Sequence, residues 1–224
     1  LFLKNRKKFN LYFSVYVKQI SYLLKTLGIN INTVPVLDIR RKTSNMIISD
    51  RAYSEKVKII SKIGDICIQK FHQNRIGTVI KHIPGHGLAN VDSHKKLPII
   101  NKNINYLLKN DFYTFKNKNS LIAMTGHLLF NKIDPEYNVT YSKKINKLIR
   151  NYIGFKNLII TDDLSMKALK ETLSQRVKMS FIGGCNLVLH CNGNIREMEI
   201  VAKNSPKINK FILKKTSQLN EIMR

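Results

Sequence analysis

IGTVIKHIPGHGLANVDSHKK (Ile76–Lys96) is the stretch on which the fold turns. It opens as a β-rich run, IGTVIKH, and passes into a loop crowded with special residues. Pro84, Gly85 and Gly87 impose turns there, and His82, His86, Asp92 and His94 bring chemistry to the same place. The arrangement recurs along the chain. INTVPVLD ends at Asp38, SLIAMTGH at Gly126 and His127, NLIITDD at Asp162 and Asp163, and CNLVLHCN at His190, Cys191 and Asn192. Helical patterns lie between these runs, at 11–27, 54–74 (with Ser54 as N-cap), 101–116, 141–152 and 172–182, and 195–224 reads as mostly helical. About five strands alternating with helices predict parallel βαβ units. Polar groups at the C-terminal strand ends favour an α/β fold of the (β/α)8, TIM-type barrel kind. A doubly wound sheet also gathers ligands at those ends, but no glycine-rich dinucleotide fingerprint and no P-loop is present.

Composition narrows the class. With 224 residues, 43% of them hydrophobic, the chain can bury a sizeable core. No apolar run approaches the roughly 18 residues of a membrane span. LFLKNRKKFNLYFSVYV interleaves basic with apolar residues, unlike a signal peptide. Because the chain opens abruptly on Leu1, a single domain over 1–224, truncated at its start, is expected. The net charge of +25, from 39 Lys+Arg against 14 Asp+Glu, would suit a basic RNA-binding protein. The lysines, however, are spread along the whole chain among abundant Asn and Ile, as an AT-biased coding sequence produces, and no nucleic-acid-binding motif accompanies them. Salt-dependent binding to random RNA would mark that alternative. Cys67, Cys185 and Cys191 form no CxxC pair and are odd in number, which fits a reducing cytoplasm. The sequence sets no oligomeric state.

Two loops carry the chemistry. ITDDLSM delivers Asp162 and Asp163 to a strand end. One of them could cap a following helix, but two adjacent carboxylates exceed what a cap needs. Asp92 and His94 are two residues apart, so in an extended segment they point the same way. A carboxylate beside an imidazole fixes its tautomer and raises its basicity. The plainer readings are a surface ion pair, or a zinc site of His82, His86, Asp92 and His94 at a spacing that matches no zinc motif. No metal and no cofactor is expected.

KHIPGHG…VDSH…LP and ITDDLSM resemble the two signature segments of glycoside hydrolase family 3. The resemblance is to its bacterial single-domain β-N-acetylglucosaminidases (β-hexosaminidases) of peptidoglycan recycling. TVPVLDI, IISDRAYS, GFKNLIITDDLSM and GGCNLVLHCN fall in the same order as in that family, so the likeness covers roughly residues 20–195. It implies a cytoplasmic, retaining, metal-free hydrolase that removes terminal N-acetylglucosamine from muropeptide glycans. On the same resemblance Asp162 is the nucleophile, His94 the general acid/base and Asp92 its partner. Arg51, Lys81 and His82 bind the sugar, with Asp163 and His127 in supporting places. Retaining hydrolysis needs a nucleophile on one side of the anomeric carbon and a proton donor at the leaving oxygen. An imidazole titrates near neutrality and suits the second task. Gly85 and Gly87 would then let the loop carrying His94 swing over the sugar.

The family also carries earlier barrel strands and a DQEGGRVxR motif that supplies a sugar-binding Asp and Arg; this sequence contains no such motif. With about five strands of eight, the barrel is expected to be incomplete. Its inner wall should be exposed, and the chain alone should fold loosely with activity near background. A non-catalytic or split-gene remnant of the enzyme is therefore the second reading. A β-glucosidase of the same family fits less well, because such enzymes lack the DSH histidine and typically carry the acid/base on a second domain.

Overall fold

A computed structural model describes residues 1–41 and 48–224, so Ile47 of IISDRAYS lies outside the described residues. Helix α1 (Arg6–Thr26) begins before the expected 11–27, because Asn5 caps it by accepting the Lys8 N–H. Strand β1 (Ile31–Asn32) is shorter than INTVPVLD. Pro35 has no amide to give a ladder, and the segment rejoins the sheet only at a Val36–Lys81 bridge. Helix α2 (Val57–Gln73) starts after Ser54, whose hydroxyl accepts the Lys56 N–H instead of capping. Strand β2 (Gly77–Ile83) matches the opening run.

The expected helix at 101–116 is broken in two. It comprises α3 (Ile104–Lys109) and a 3-10 turn at Phe112–Phe115, separated at Asn110, whose side-chain amide donates to the Tyr106 carbonyl. The two short strands β3 (Ile99–Ile100) and β5 (Leu129–Phe130) pair as a parallel ribbon that no alternation announced. Strand β4 (Ile122–Thr125) lies between them in sequence. Helix α4 (Lys143–Leu148) runs into a π turn at Ile149–Ile153, followed by Gly154 with φ 79°. Strand β6 (Leu158–Asp163), α5 (Leu173–Gly183), β7 (Leu187–Leu189), α6 (Ile195–Asn204) and α7 (Lys210–Met223) complete the described chain. Helix α5 starts at a full capping box between Thr172 and Gln175.

The main sheet is parallel, in the order β1-β2-β4-β6-β7, and curls into a half-barrel. Side chains alternate between its two faces. Ile80, Ala123 and Ile159 face outward into one core with Ile60 and Ile68 of α2 and Ile145 of α4. Val188 joins Leu173 and Val177 of α5 in another. The inner face presents Val79, Ile122, Met124, Leu158, Ile160, Leu187 and Leu189. The inner wall is not bare as expected, although Ile160, Leu187 and Leu189 stay only partly buried. Ile212, Leu219 and Met223 of α7 join that same cluster and cover the N-terminal ends of the strands. Leu219 presses on Gly77 so closely that a Cβ there would lie 2.9 Å from its methyl.

Helix α1 buries one stripe of its apolar residues. Phe13, Val17, Ile20 and Leu24 pack on Cys67 and Phe71 of α2, while Tyr12, Val15 and Leu23 remain exposed. The 3.6-residue period permits either face, and contact with α2 selects one.

Candidate active site

The polar strand ends converge at the C-terminal rim of the half-barrel. Asp38, only 1% exposed, lies behind the end of β2. Its Oδ2 accepts from the His82 ring Nδ1 at 2.7 Å and the His82 amide at 3.2 Å, and its Oδ1 accepts from the His86 amide at 2.6 Å. Burial alone would raise the Asp38 pKa. The charge and hydrogen bond of His82, with the contacts from His86, hold it below the usual carboxylate value. The other ring nitrogen of His82, Nε2, stands 3.9 Å from Asp162 Oδ2.

The adjacent carboxylates have separate roles. Asp162 ends the inner-facing row of β6, keeps 20% side-chain exposure and accepts a hydrogen bond from the Asp163 amide. Asp163 turns the other way, accepting from the Ser165 amide and hydroxyl and from the Cys191 amide. Burial raises its pKa, but these bonds and the nearby His190 bring it below the ordinary value. Asp163 thus ties the β6 loop to the end of β7. His127 is buried, with a partner at each ring nitrogen: Nδ1 lies 2.8 Å from the Thr140 hydroxyl and Nε2 3.1 Å from the Asp163 carbonyl. Burial lowers its pKa, so the neutral ring donates from Nε2 and accepts at Nδ1. Through these bonds His127 joins the end of β6 to Thr140, and Asp163 joins it to Cys191.

Lys81 and Arg51 line one cleft of about 480 Å³, with Asn32, Thr33 and Tyr53. Lys81 Nζ donates to Thr33 Oγ1 at 3.0 Å. Burial and then the Arg51 charge lower the Lys81 pKa, while Asp162 and Asp38 pull it up, so all four residues share one electrostatic neighbourhood. A separate cleft of about 360 Å³, lined by Tyr137, Tyr141, Met179 and Ile182, contains none of the expected site residues.

The Asp92–His94 pair forms, but in a turn rather than in the extended segment expected: the Asp92 carbonyl accepts the Lys95 and Lys96 amides. Asp92 Oδ1 accepts from the His94 amide at 2.8 Å and lies 2.9 Å from its Nδ1, and the His94 side chain is 65% exposed. Slight burial raises the Asp92 pKa, but the His94 bonds and charge lower it. His94 pairs here with Asp92 rather than with the Asp162 group. The four residues weighed as a zinc site do not gather: among the described residues no three His, Cys, Asp or Glu side chains form a metal-binding group.

The two loop glycines sit in close contact with neighbouring segments. Gly85, at φ 142°, is buried, and a Cβ on it would come within 2.7 Å of the Asp111 Cβ. A Cβ on Gly87 would collide with the Ile39 carbonyl oxygen. They let the loop base pack tightly against neighbouring backbone. Residues 94–96, around the acid/base candidate, are exposed. Sequence reasoning also passed over Asp38 and His86. Both stood in quoted motifs, but their pairing joins residues far apart in the chain.

Burial, followed by the charge of His82, lowers the His86 pKa to about 4, against the pull of Asp38 and Asp162. The unfolded ring would titrate at about 6.5. The unfolded chain therefore takes up the proton first as pH falls. The contribution of neutral His86 is complete above about 6.5 and is lost towards about 4, up to about 3 kcal/mol. His127 and His72, also lowered by burial, act in the same sense. We expect the Tm to fall between about pH 7 and pH 5, and His86→Gln to flatten that slope. An unchanged slope in the variant would remove His86 as its source.

The family model for the glycosyl hydrolase family 3 N-terminal domain matches residues 13–216. The chain belongs to this family. A β-hexosaminidase of Nitrosomonas eutropha is 29% identical over 184 residues, covering 78% of this chain and 53% of the relative. Another, from Haemophilus ducreyi, is 32% identical over 189 residues, covering 80% and 54%. The chain thus spans about half the length of the curated relatives it matches. A family 3 β-N-acetylglucosaminidase from a Paenibacillus species shares the fold with a TM-score of 0.81 at 23% identity, over 92% of this chain and 42% of its own. NagZ from Neisseria gonorrhoeae, solved with N-trifluoroacetyl-D-glucosamine, does so with a TM-score of 0.80 at 23% identity, over 92% and 62%. No helix among the described residues is long and apolar enough to cross a membrane.

Proposed function

We propose that this family 3 chain, read as one barrel domain over 1–224, carries the catalytic groups of a retaining exo-β-N-acetylglucosaminidase. Its substrates are peptidoglycan-derived muropeptides carrying terminal N-acetylglucosamine, and its compartment is the cytoplasm. The observation that carries this reading is the convergence at Asp162. An inner-facing carboxylate at a strand's C-terminal end lies 3.9 Å from His82 Nε2 and in the electrostatic neighbourhood of Lys81. Asp162 attacks the anomeric carbon, and His94, oriented by Asp92, protonates the leaving oxygen and later activates water. Arg51, Lys81 and His82 hold sugar hydroxyls. The β-hexosaminidase names of the relatives support the substrate class.

Hydrolysis of an aryl β-N-acetylglucosaminide tests the reading directly. A folded chain that leaves this substrate intact would favour the inactive remnant. His94→Ala should cost roughly 10²–10⁴-fold in turnover on glycosides with poor leaving groups. The loss should be smaller on activated aryl glycosides, which depart without help. Equal losses on both would reduce His94 to binding or folding.

A further inference from the structure

We propose that Asp38 is a positioning residue for the site: it fixes His82 with Nδ1 protonated and aims Nε2 at Asp162. An ionised carboxylate only accepts hydrogen bonds, so the 2.7 Å contact requires the hydrogen on His82 Nδ1. Nε2 is then the ring atom left to face Asp162 Oδ2, at 3.9 Å, and any sugar hydroxyl bound there. The same carboxylate takes the amides of both His82 and His86, so it also holds the backbone from which the ring projects. With three donors converging on a side chain 1% exposed, the arrangement leaves the ring one orientation.

Asparagine cannot reproduce the pattern. Whichever way its amide turns, an NH2 group meets a backbone N–H, either that of His86 or that of His82. The catalytic consequence rests on the function proposed above; the tautomer does not.

The test begins with ring-nitrogen NMR of the unaltered chain. Only 6 histidines are present, and His82→Gln identifies the signal of interest. At a pH where the ring is neutral, His82 should carry its proton on Nδ1. A proton on Nε2 overturns the proposal, whether or not the chain hydrolyses anything. This measurement needs no variant at position 38 to fold. In active preparations, Asp38→Asn should lower kcat/KM by about 10²-fold. The same change in a His82→Ala background should add little. Equal losses in both backgrounds would make Asp38 a merely structural residue and overturn its positioning role. Absence of turnover would fail the proposed function, leaving the NMR result to decide for Asp38.

Discussion

Replacing Asp162 with alanine is expected to cut turnover of an aryl β-N-acetylglucosaminide by roughly 10³-fold or more, about 4 kcal/mol of barrier. Retaining hydrolysis passes through a covalent glycosyl-enzyme intermediate, so losing the nucleophile removes the path itself. Geometry separates Asp162 from its neighbour. Asp162 lies on the inner row of β6 with a local hydrogen bond. Asp163 is engaged by Ser165 and Cys191. Asp163→Ala should therefore lower stability first, loosening the link between the β6 loop and β7. Trapping with a slow fluorinated glycoside followed by peptide mapping should find the adduct on Asp162. An adduct on Asp163, or on any other residue, would sink the assignment.

Leu219→Asp is expected to destabilise the chain by about 4 kcal/mol or more. That approaches the whole stability of many domains, about 5–15 kcal/mol. Leu219 is 5% exposed among the inner-face residues of the half-barrel. A carboxylate there would be buried without a partner, and the Leu side chain's apolar contacts would vanish. The effect matters because β1 and β7 are the edge strands of the described sheet, and an open barrel has no opposite wall to cover its interior. Helix α7 supplies part of that cover. Lys214→Asp, at an exposed position of the same helix, is the control and should leave the melt nearly unchanged. If Leu219→Asp melts like the parent chain, α7 is not what covers the inner face.

The alternation of strands and helices, the parallel α/β class and the clustering of polar groups at strand ends were all legible in the amino-acid order. Those features are local: β-rich runs, helical periods and turn residues are written in contiguous stretches. The Asp92–His94 pair was legible for the same reason, since its partners are two residues apart. Asp162 and Asp163 are neighbours in β6 and so fall on opposite faces, but only the helices packed outside the sheet decide which face is inner. The pairing of Asp38 with His82 and His86 depends on how the 36–38 segment lies beside β2, where a Val36–Lys81 bridge brings it. The glycines show the same division. The sequence announced turns at Gly85 and Gly87, and tertiary structure made them contact points with Asp111 and Ile39. Nothing in the amphipathic pattern of α7 told an outer helix from one lining the inner face. Its location follows from which apolar surface is available after the sheet has curled, and that surface is assembled from strands scattered across the chain.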